Sequence, residues 1–348
     1  MNLHKVHTVL TAAVTLGLCA AALVFSPRCK EGAAQGLELS LRVLTPSLFP
    51  MMALSGLAVK TGLCTRLGRM LEKPTRLLFG LSGAFAPALL LSLIGGYPVG
   101  ARAIADLYRS GQVSLEQARR AALFCVGAGP AFLISFVGST LCGSAELGVI
   151  LLCAQIMSVL LSGAALRFFG GKGDNYSEKE LSASAPPFSA ALVEAVRDAS
   201  SGMLSIGGWV VLFAAFGGIC EEVLPACAAR DILLSLLDVS TGVCRLNGLY
   251  PLPLTAFLVG FGGLCVHFQI FAAPGLPPLN KPLFFFFRIL QGGLTALFTH
   301  LGMALYGKEV AVFSTAVVSH AGFYGGSVLS GAALLAVTVG FLLTFKQH

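Results

Sequence analysis

The sequence predicts an all-α polytopic membrane protein of two repeats, which we expect to be inverted, with broken or re-entrant helices. Its 348 residues are 56% hydrophobic and only 11% charged, whereas soluble domains carry about 25% charged residues. At roughly 20 residues per crossing, the apolar runs accommodate about eight to ten full or partial crossings. Glycine-rich interruptions at Gly95–Arg102 and Gly260–Gln269 indicate one broken segment in each half of the chain.

Composition and motif content exclude several classes of function. The net charge of +7 is typical of membrane topology, and it does not indicate a nucleic-acid partner, because such a site needs basic residues clustered on a soluble face. Ten cysteines without a Cys-x-x-Cys pair favour neither a disulfide framework nor a metal site. The sequence also lacks metalloprotease, P-loop and nucleophile-elbow motifs, so we expect no enzymatic activity, no cofactor and no metal.

The chain begins with two apolar runs. Residues 6–25 are compatible with a signal peptide, but no convincing small-x-small cleavage site precedes Ser26, so we interpret them as a retained span. The second run, 37–59, contains Arg42 and Pro46, which a plain membrane anchor would not tolerate. Two interpretations stay open: a proline-kinked helix whose Arg42 reaches the membrane interface, or a part of a binding site.

A basic loop indicates the orientation in the membrane. Between positions 60 and 76, five Lys and Arg residues are opposed only by Glu72, so we expect this loop and the N-terminus to be cytoplasmic. Further basic residues follow between 102 and 120. The apolar run 77–94 lies between these two basic regions, which predicts a segment that enters the membrane and returns to the same side.

The first interruption combines several residues that break helices. Gly95 and Gly96 release the backbone, Pro98 removes an amide donor and restricts Tyr97, and Gly100 lets another segment come close. Such backbone leaves polar groups unpaired, so at membrane depth it is tolerated only against protein or beside a watery cavity. We therefore expect a solute site between the two breaks.

A third interruption, Gly127–Pro130, divides the apolar run 118–141. Before it, Ser114 is a plausible N-cap with Gln117 at the capping-box position. The second half repeats this order of features: placing Arg197 on Arg42 aligns the polar openings of the two halves. Placing Gly262 and Gly263 on Gly95 and Gly96 aligns the breaks of the two halves. The predicted division is an N-terminal span 1–35, repeats at 36–170 and 188–306, a polar linker 171–187 and C-terminal membrane segments 307–348.

The candidate binding residues are those with charged, hydroxyl, amide or break-forming character near the interruptions. A buried arginine costs about 2.5 to 3.5 kcal/mol at a helix centre, so arginines at that depth usually face a cavity or a partner. Together with the positive ends of broken helices, they would favour a small anionic solute. The set is Arg42, Pro46, Ser47, Gly95, Gly96, Tyr97, Pro98, Gly100, Arg102, Ser200, Ser201, Asp238, Thr241, Gly262, Gly263, His267, Gln269 and Arg288.

Five motifs resemble the sporulation integral membrane protein YlbJ family, also called stage V sporulation protein V, which carries nucleoside-recognition Gate domains. The resemblance runs in the same order from about Gly36 to Tyr306, with a mild departure at Cys265–Phe268. The motifs are Pro-Ser-Leu-Phe-Pro at 46–50, Gly-Gly-Tyr-Pro-Val-Gly-Ala-Arg at 95–102, and the stretches 238–242, 260–269 and 288–292.

This resemblance implies two Gate-like repeats and transport of dipicolinic acid from mother cell toward forespore, which we expect to proceed by alternating access. It also implies a location in the outer forespore membrane. Dipicolinate is a flat ring with two carboxylates, which suits a cavity bearing arginine and Tyr97. Two alternatives stay open: a carrier of nucleosides or other small metabolites, and a structural or assembly protein of sporulation. The expected partners are the lipid bilayer, the solute, and either further copies of the chain or other sporulation membrane proteins.

Overall fold

The computed structural model describes residues 3–109, 111–169 and 186–306, and these parts of the chain form helices and their connections. Within them, five stretches are long and apolar enough to cross a membrane: Ser26–Ala58, Ala145–Arg167, Phe188–Val223, Leu252–Phe271 and Lys281–Tyr306. The chain is therefore an all-α, multi-pass integral membrane protein, as the sequence predicts. Most of the predicted linker 171–187 and the C-terminal segments 307–348 lie outside the described residues.

The N-terminal helices are joined by a turn of π-type helix at Ser40–Leu44. Pro46 has no amide hydrogen, so it cannot complete the α-helical bond to the carbonyl four residues earlier. The wider turn compensates, and the Thr45 hydroxyl donates to the carbonyl oxygen of Ser40 at 2.7 Å. The helices are α1 (Leu3–Val24), α2 (Ser26–Leu39) and α3 (Thr45–Lys60).

Two short helices carry the basic loop, α4 (Leu63–Met70) and α5 (Glu72–Phe79). Their basic residues Arg66, Arg69 and Arg76 are exposed, which fits a surface position next to the membrane. The chain then forms α6 (Phe85–Gly95) and α7 (Tyr97–Arg109), which are separated only by Gly96.

The third interruption has the predicted form. The Ser114 hydroxyl accepts from the Gln117 amide at 3.2 Å, and the Gln117 side chain completes the capping box. This cap starts α8 (Leu115–Phe124). A non-helical stretch follows at residues 125–129, and then come a second π-type segment (Ala131–Leu141) and α9 (Ala145–Phe169).

The second half repeats this sequence of elements. A long helix is followed by a pair broken at Asp238, a pair broken at Gly262, and a final long helix. The elements are α10 (Phe188–Val223), α11 (Ala228–Leu237), α12 (Val239–Leu246), α13 (Leu252–Phe261), α14 (Gly263–Phe271) and α15 (Lys281–Tyr306).

Packing between the halves follows the same order. Helix α10 packs against α2 and α3, and the last long helices, α9 and α15, pack against each other. Each of the latter also packs on the broken pair that precedes it. The element order thus pairs the Gly96 break with the Asp238 break, and residues 125–129 with the Gly262 break. It favours this alignment over that of Gly262 with the Gly95–Gly96 pair, and the Asp238 break uses extended backbone (φ −140°), which needs no glycine. The proposed domain limits stay predictions.

Candidate functional site

The breaks in the two halves meet at Tyr97. Gly96 and Gly262 both have positive φ, 88° and 91°, which side-chain-bearing residues rarely adopt. The Tyr97 hydroxyl donates to the carbonyl oxygen of Val259 at 2.6 Å. A Cβ atom on Gly262 would lie 3.4 Å from the Tyr97 ring. The irregular segments therefore converge, as the sequence predicts.

A cavity of about 40 Å³ lies at this meeting point. Its polar lining comes from Tyr97, Asp238, Ser240 and Gln269, while much of the remaining wall is apolar. Pockets that enclose drug-sized ligands measure about 300 to 1,000 Å³. The cavity is therefore smaller than the pockets that enclose such ligands. The apolar lining includes Leu44, Leu48, Phe132, Ile206, Val210 and Val266.

The amino ends of three short helices lie at or beside the cavity. Tyr97 starts α7, and Val239 starts α12 beside the wall residue Asp238. Gly263 starts α14, and a Cβ on it would lie 2.8 Å from the Val239 amide nitrogen. Helix amino ends carry positive partial charge, so this arrangement favours negatively charged groups. Asp238 already occupies one such position, because its Oδ2 accepts from the Thr241 amide at 2.8 Å.

Arg288 binds backbone carbonyls at the carboxyl ends of two broken helices, and its side chain is fully buried. Its Nη1 donates to the Val126 carbonyl and its Nη2 to the Gly260 carbonyl, each at 2.7 Å. Nη2 also bonds the Gln291 side-chain oxygen. The Gln291 amide nitrogen donates to the Phe124 carbonyl at 3.1 Å. Arg288 thus joins the breaks of both halves, and it does not line the cavity.

Several predicted site residues lie on the outer surface. Arg42 has an exposed side chain and pairs with Glu38 at 3.3 Å, which fits the interpretation of a kinked helix with an interfacial arginine. Pro46, Ser200 and Ser201 are also exposed, and Ser47 is half-buried. The structure does not bring these residues to the cavity.

Other predicted residues act in packing between helices. Arg102 Nη1 lies 3.5 Å from the Asp198 carbonyl oxygen, and a Cβ on Gly202 would overlap this guanidinium. Gly100 packs against Ser92 and the Cys125 carbonyl, and Gly95 against the side chain of Val99. The side chain of Pro98 lies outside the described residues.

His267 lies in an aromatic environment instead of the cavity. Its Nε2 is 2.8 Å from the Phe261 carbonyl oxygen, and it is fully buried. The rings of Phe261, Phe284 and Phe285 surround it with centroid distances of 4.7, 5.3 and 5.1 Å. Among the described residues its Nδ1 has no hydrogen-bond partner.

A larger cleft of about 230 Å³ lies at the surface between α2 and the end of α10. Its charges pair with each other: Arg28 lies 3.1 Å from Glu31 and 2.9 Å from Glu222. Because these groups are exposed and mutually paired, the cleft offers little for a solute, and the smaller cavity is the better candidate site.

The site contains residues that sequence reasoning missed. Gly129 lines the cavity, where its Cβ position lies 2.8 Å from the Ile94 carbonyl. Ile206 and Val210 also line it, and nothing in the sequence distinguishes them from ordinary core residues. Gln155 does not line the cavity; it is fully buried near Gly127, with its side-chain nitrogen 3.1 Å from that glycine's Cβ position. A lone amide in an apolar span was the signal that could have found Gln155.

Comparisons with known proteins agree with the motif resemblance. Residues 41–151 match a family model described as Gate: Nucleoside recognition. The chain is 25% identical to the sporulation integral membrane protein YlbJ of Bacillus subtilis (strain 168), over 86% of this chain and 84% of that protein. No solved structure matches the chain significantly. The predicted resemblance to the YlbJ family is confirmed.

Proposed function

We propose that this relative of YlbJ is a membrane carrier of a small anionic metabolite, dipicolinate, which it moves from the mother cell toward the forespore. Similarity to a sporulation integral membrane protein supports this cellular setting. Similarity to a nucleoside-recognition model supports binding of a small ring-containing molecule. The proposal places the protein in the outer forespore membrane and assigns it no enzymatic activity, cofactor or metal.

The observation that carries the proposal is the cluster of three helix amino ends at or beside the cavity between the two breaks. In carriers with broken helices, such ends face the anionic groups of the solute. Tyr97 contributes a second feature, because its ring borders the cavity and aromatic rings stack on one another in offset geometry. A flat dicarboxylate uses both features.

Transport requires the cavity beside Tyr97 to widen. At about 40 Å³ it is too small for the solute, so one half must move against the other to admit it from one side and release it to the opposite side. The paired packing of α9 with α15, and of α10 with α2 and α3, supplies the surfaces for this motion. We therefore propose alternating access.

A second candidate is a nucleoside, and Asp238 favours it. This carboxylate lines the cavity at 2% exposure. It would repel a dianion, but it would accept hydrogen bonds from ribose hydroxyl groups. A negative charge at Asp238 would thus disfavour dipicolinate and favour a nucleoside.

The test is uptake into lipid vesicles containing the purified protein, with labelled dipicolinate and labelled uridine in parallel. Saturable dipicolinate uptake, absent from empty vesicles and weak for uridine, is the expected result. Preference for uridine would replace the proposed solute with a nucleoside. Uptake of neither, together with no thermal stabilisation by either, would favour a structural or assembly protein.

A further inference from the structure

Arg288 is a buried cation whose described hydrogen-bond partners are all neutral oxygen atoms. The side chain is 0% exposed. It bonds the carbonyls of Val126 and Gly260 and the amide oxygen of Gln291. Within the described ranges, no carboxylate lies within ion-pair distance of it. Among the residues that the structure describes, its charge is therefore balanced by dipoles and not by an ion-pair partner.

The two backbone carbonyls that Arg288 binds belong to different halves of the protein. Helix α8 ends at Phe124 and α13 at Phe261, so Val126 and Gly260 lie at the carboxyl ends of two half-helices, one from each half of the protein. Carboxyl ends carry negative partial charge. In membrane carriers, unwound carbonyls and half-helix carboxyl ends are where a sodium ion or proton is coordinated. In this protein the Arg288 guanidinium group lies in an environment of this kind, among carbonyl oxygens at the carboxyl ends of two half-helices.

Neighbouring side chains strengthen this shell of oxygen atoms. Ser158 on α9 and Thr295 on α15 both donate to the Gln291 backbone carbonyl, at 2.9 and 2.7 Å. These bonds fix the turn of α15 that presents the Gln291 side chain. Four oxygens are gathered around the α8 and α13 ends: those of Phe124, Val126, Gly260 and the Gln291 side chain.

We propose that Arg288 is a tethered cation occupying a monovalent-cation site at the joined carboxyl ends of α8 and α13, so that the carrier works without sodium. The sodium-independence rests on the proposed transport function, whereas the cation site does not. Removal of the guanidinium should leave an oxygen-lined site that accepts a free cation of the same shape.

The test is thermal unfolding of the purified protein in detergent at constant ionic strength. The wild-type melting temperature should be the same in sodium chloride and choline chloride. Arg288→Ala should melt several degrees lower and regain much of that loss in millimolar ethylguanidinium, because ligand binding to the folded state stabilises it. Arg42→Ala is the matched control, since Arg42 is exposed, and ethylguanidinium should not change its melting temperature.

Two results would overturn the proposal: saturable stabilisation of the wild type by sodium over choline, or no greater recovery of Arg288→Ala than of the control. If Arg288→Ala does not accumulate, the wild-type comparison of sodium with choline decides alone. Vesicle uptake separates the two proposals. Uptake that needs sodium refutes the tethered cation, whereas uptake in neither salt refutes the transport function and leaves the unfolding result standing.

Discussion

The Tyr97 hydroxyl donates a 2.6 Å hydrogen bond to the Val259 carbonyl oxygen across 162 positions of the sequence. It connects the first residue of α7 to the last turns of α13, so it links the broken helices of the two halves directly. Both residues are buried. Changes at this contact are therefore expected to affect both breaks together.

Tyr97→Phe should lower stability and transport together. The change removes only the hydroxyl and leaves the buried Val259 carbonyl without this donor, which costs about 1 to 3 kcal/mol. Thermal unfolding in detergent measures the loss. Tyr108→Phe on the same helix is the control, because the described structure gives its hydroxyl no hydrogen bond. Equal melting temperatures for the two variants would contradict the role of this bond.

Gly262→Ala should destabilise the protein, because the residue has φ of 91° and its Cβ would lie 3.4 Å from the Tyr97 ring. The matched change Gly208→Ala lies in the middle of α10, where a Cβ meets nothing within 4 Å. It should be neutral or stabilise by about 0.5 to 1 kcal/mol. The comparison of melting temperatures is decisive: if Gly262→Ala is as stable as Gly208→Ala, the break does not need its left-handed conformation.

Asp238→Asn should separate the two candidate solutes. Asparagine is as good an N-cap as aspartate, so α12 and the fold should be retained. The change removes a negative charge from the cavity wall, which should lower the KM for dipicolinate by removing like-charge repulsion. It should raise the KM for a nucleoside, because a strong acceptor is lost. Vesicle uptake of both solutes measures the outcome, and a higher KM for dipicolinate would contradict the anion proposal.

Gln155→Met should raise the melting temperature. Both polar atoms of the Gln155 side chain are buried and have no hydrogen-bond partner among the described residues. Burying such a group costs about 1 to 3 kcal/mol, and methionine has nearly the same length without the amide. Gln291→Met is the contrasting variant, because Gln291 bonds the Phe124 carbonyl and Arg288, and it should lower the melting temperature. A lower melting temperature for Gln155→Met would indicate a polar partner for that side chain.

The all-α membrane fold and the breaks near residues 96, 127 and 262 could be predicted, because glycine and proline in an apolar run leave few other structures possible. The break at Asp238 could not be matched to its counterpart by the same signal. It is an extended residue with a carboxylate that caps the next helix, so it carries no glycine signal. The order of elements along the chain favours pairing it with the Gly96 break.

The site was only partly predictable. Tyr97, Gly96, Asp238 and Gln269 do line the cavity. Sequence alone could not separate Arg42 from Arg288, because both are arginines in apolar runs. One is exposed and pairs with a glutamate four residues earlier, whereas the other is fully buried among carbonyls. Only the three-dimensional packing of α15 against α8 and α13 distinguishes them.

The double attachment of Arg288 limits how the molecule can move. Since one side chain holds the carbonyls of Val126 and Gly260, the two halves cannot slide past each other at this level without breaking charge-assisted bonds. Under the proposed alternating access, a rotation about Arg288 would keep those bonds intact and widen the space beside Tyr97 first on one face and then on the other. The largest displacements would then be expected at the helix ends farthest from Arg288.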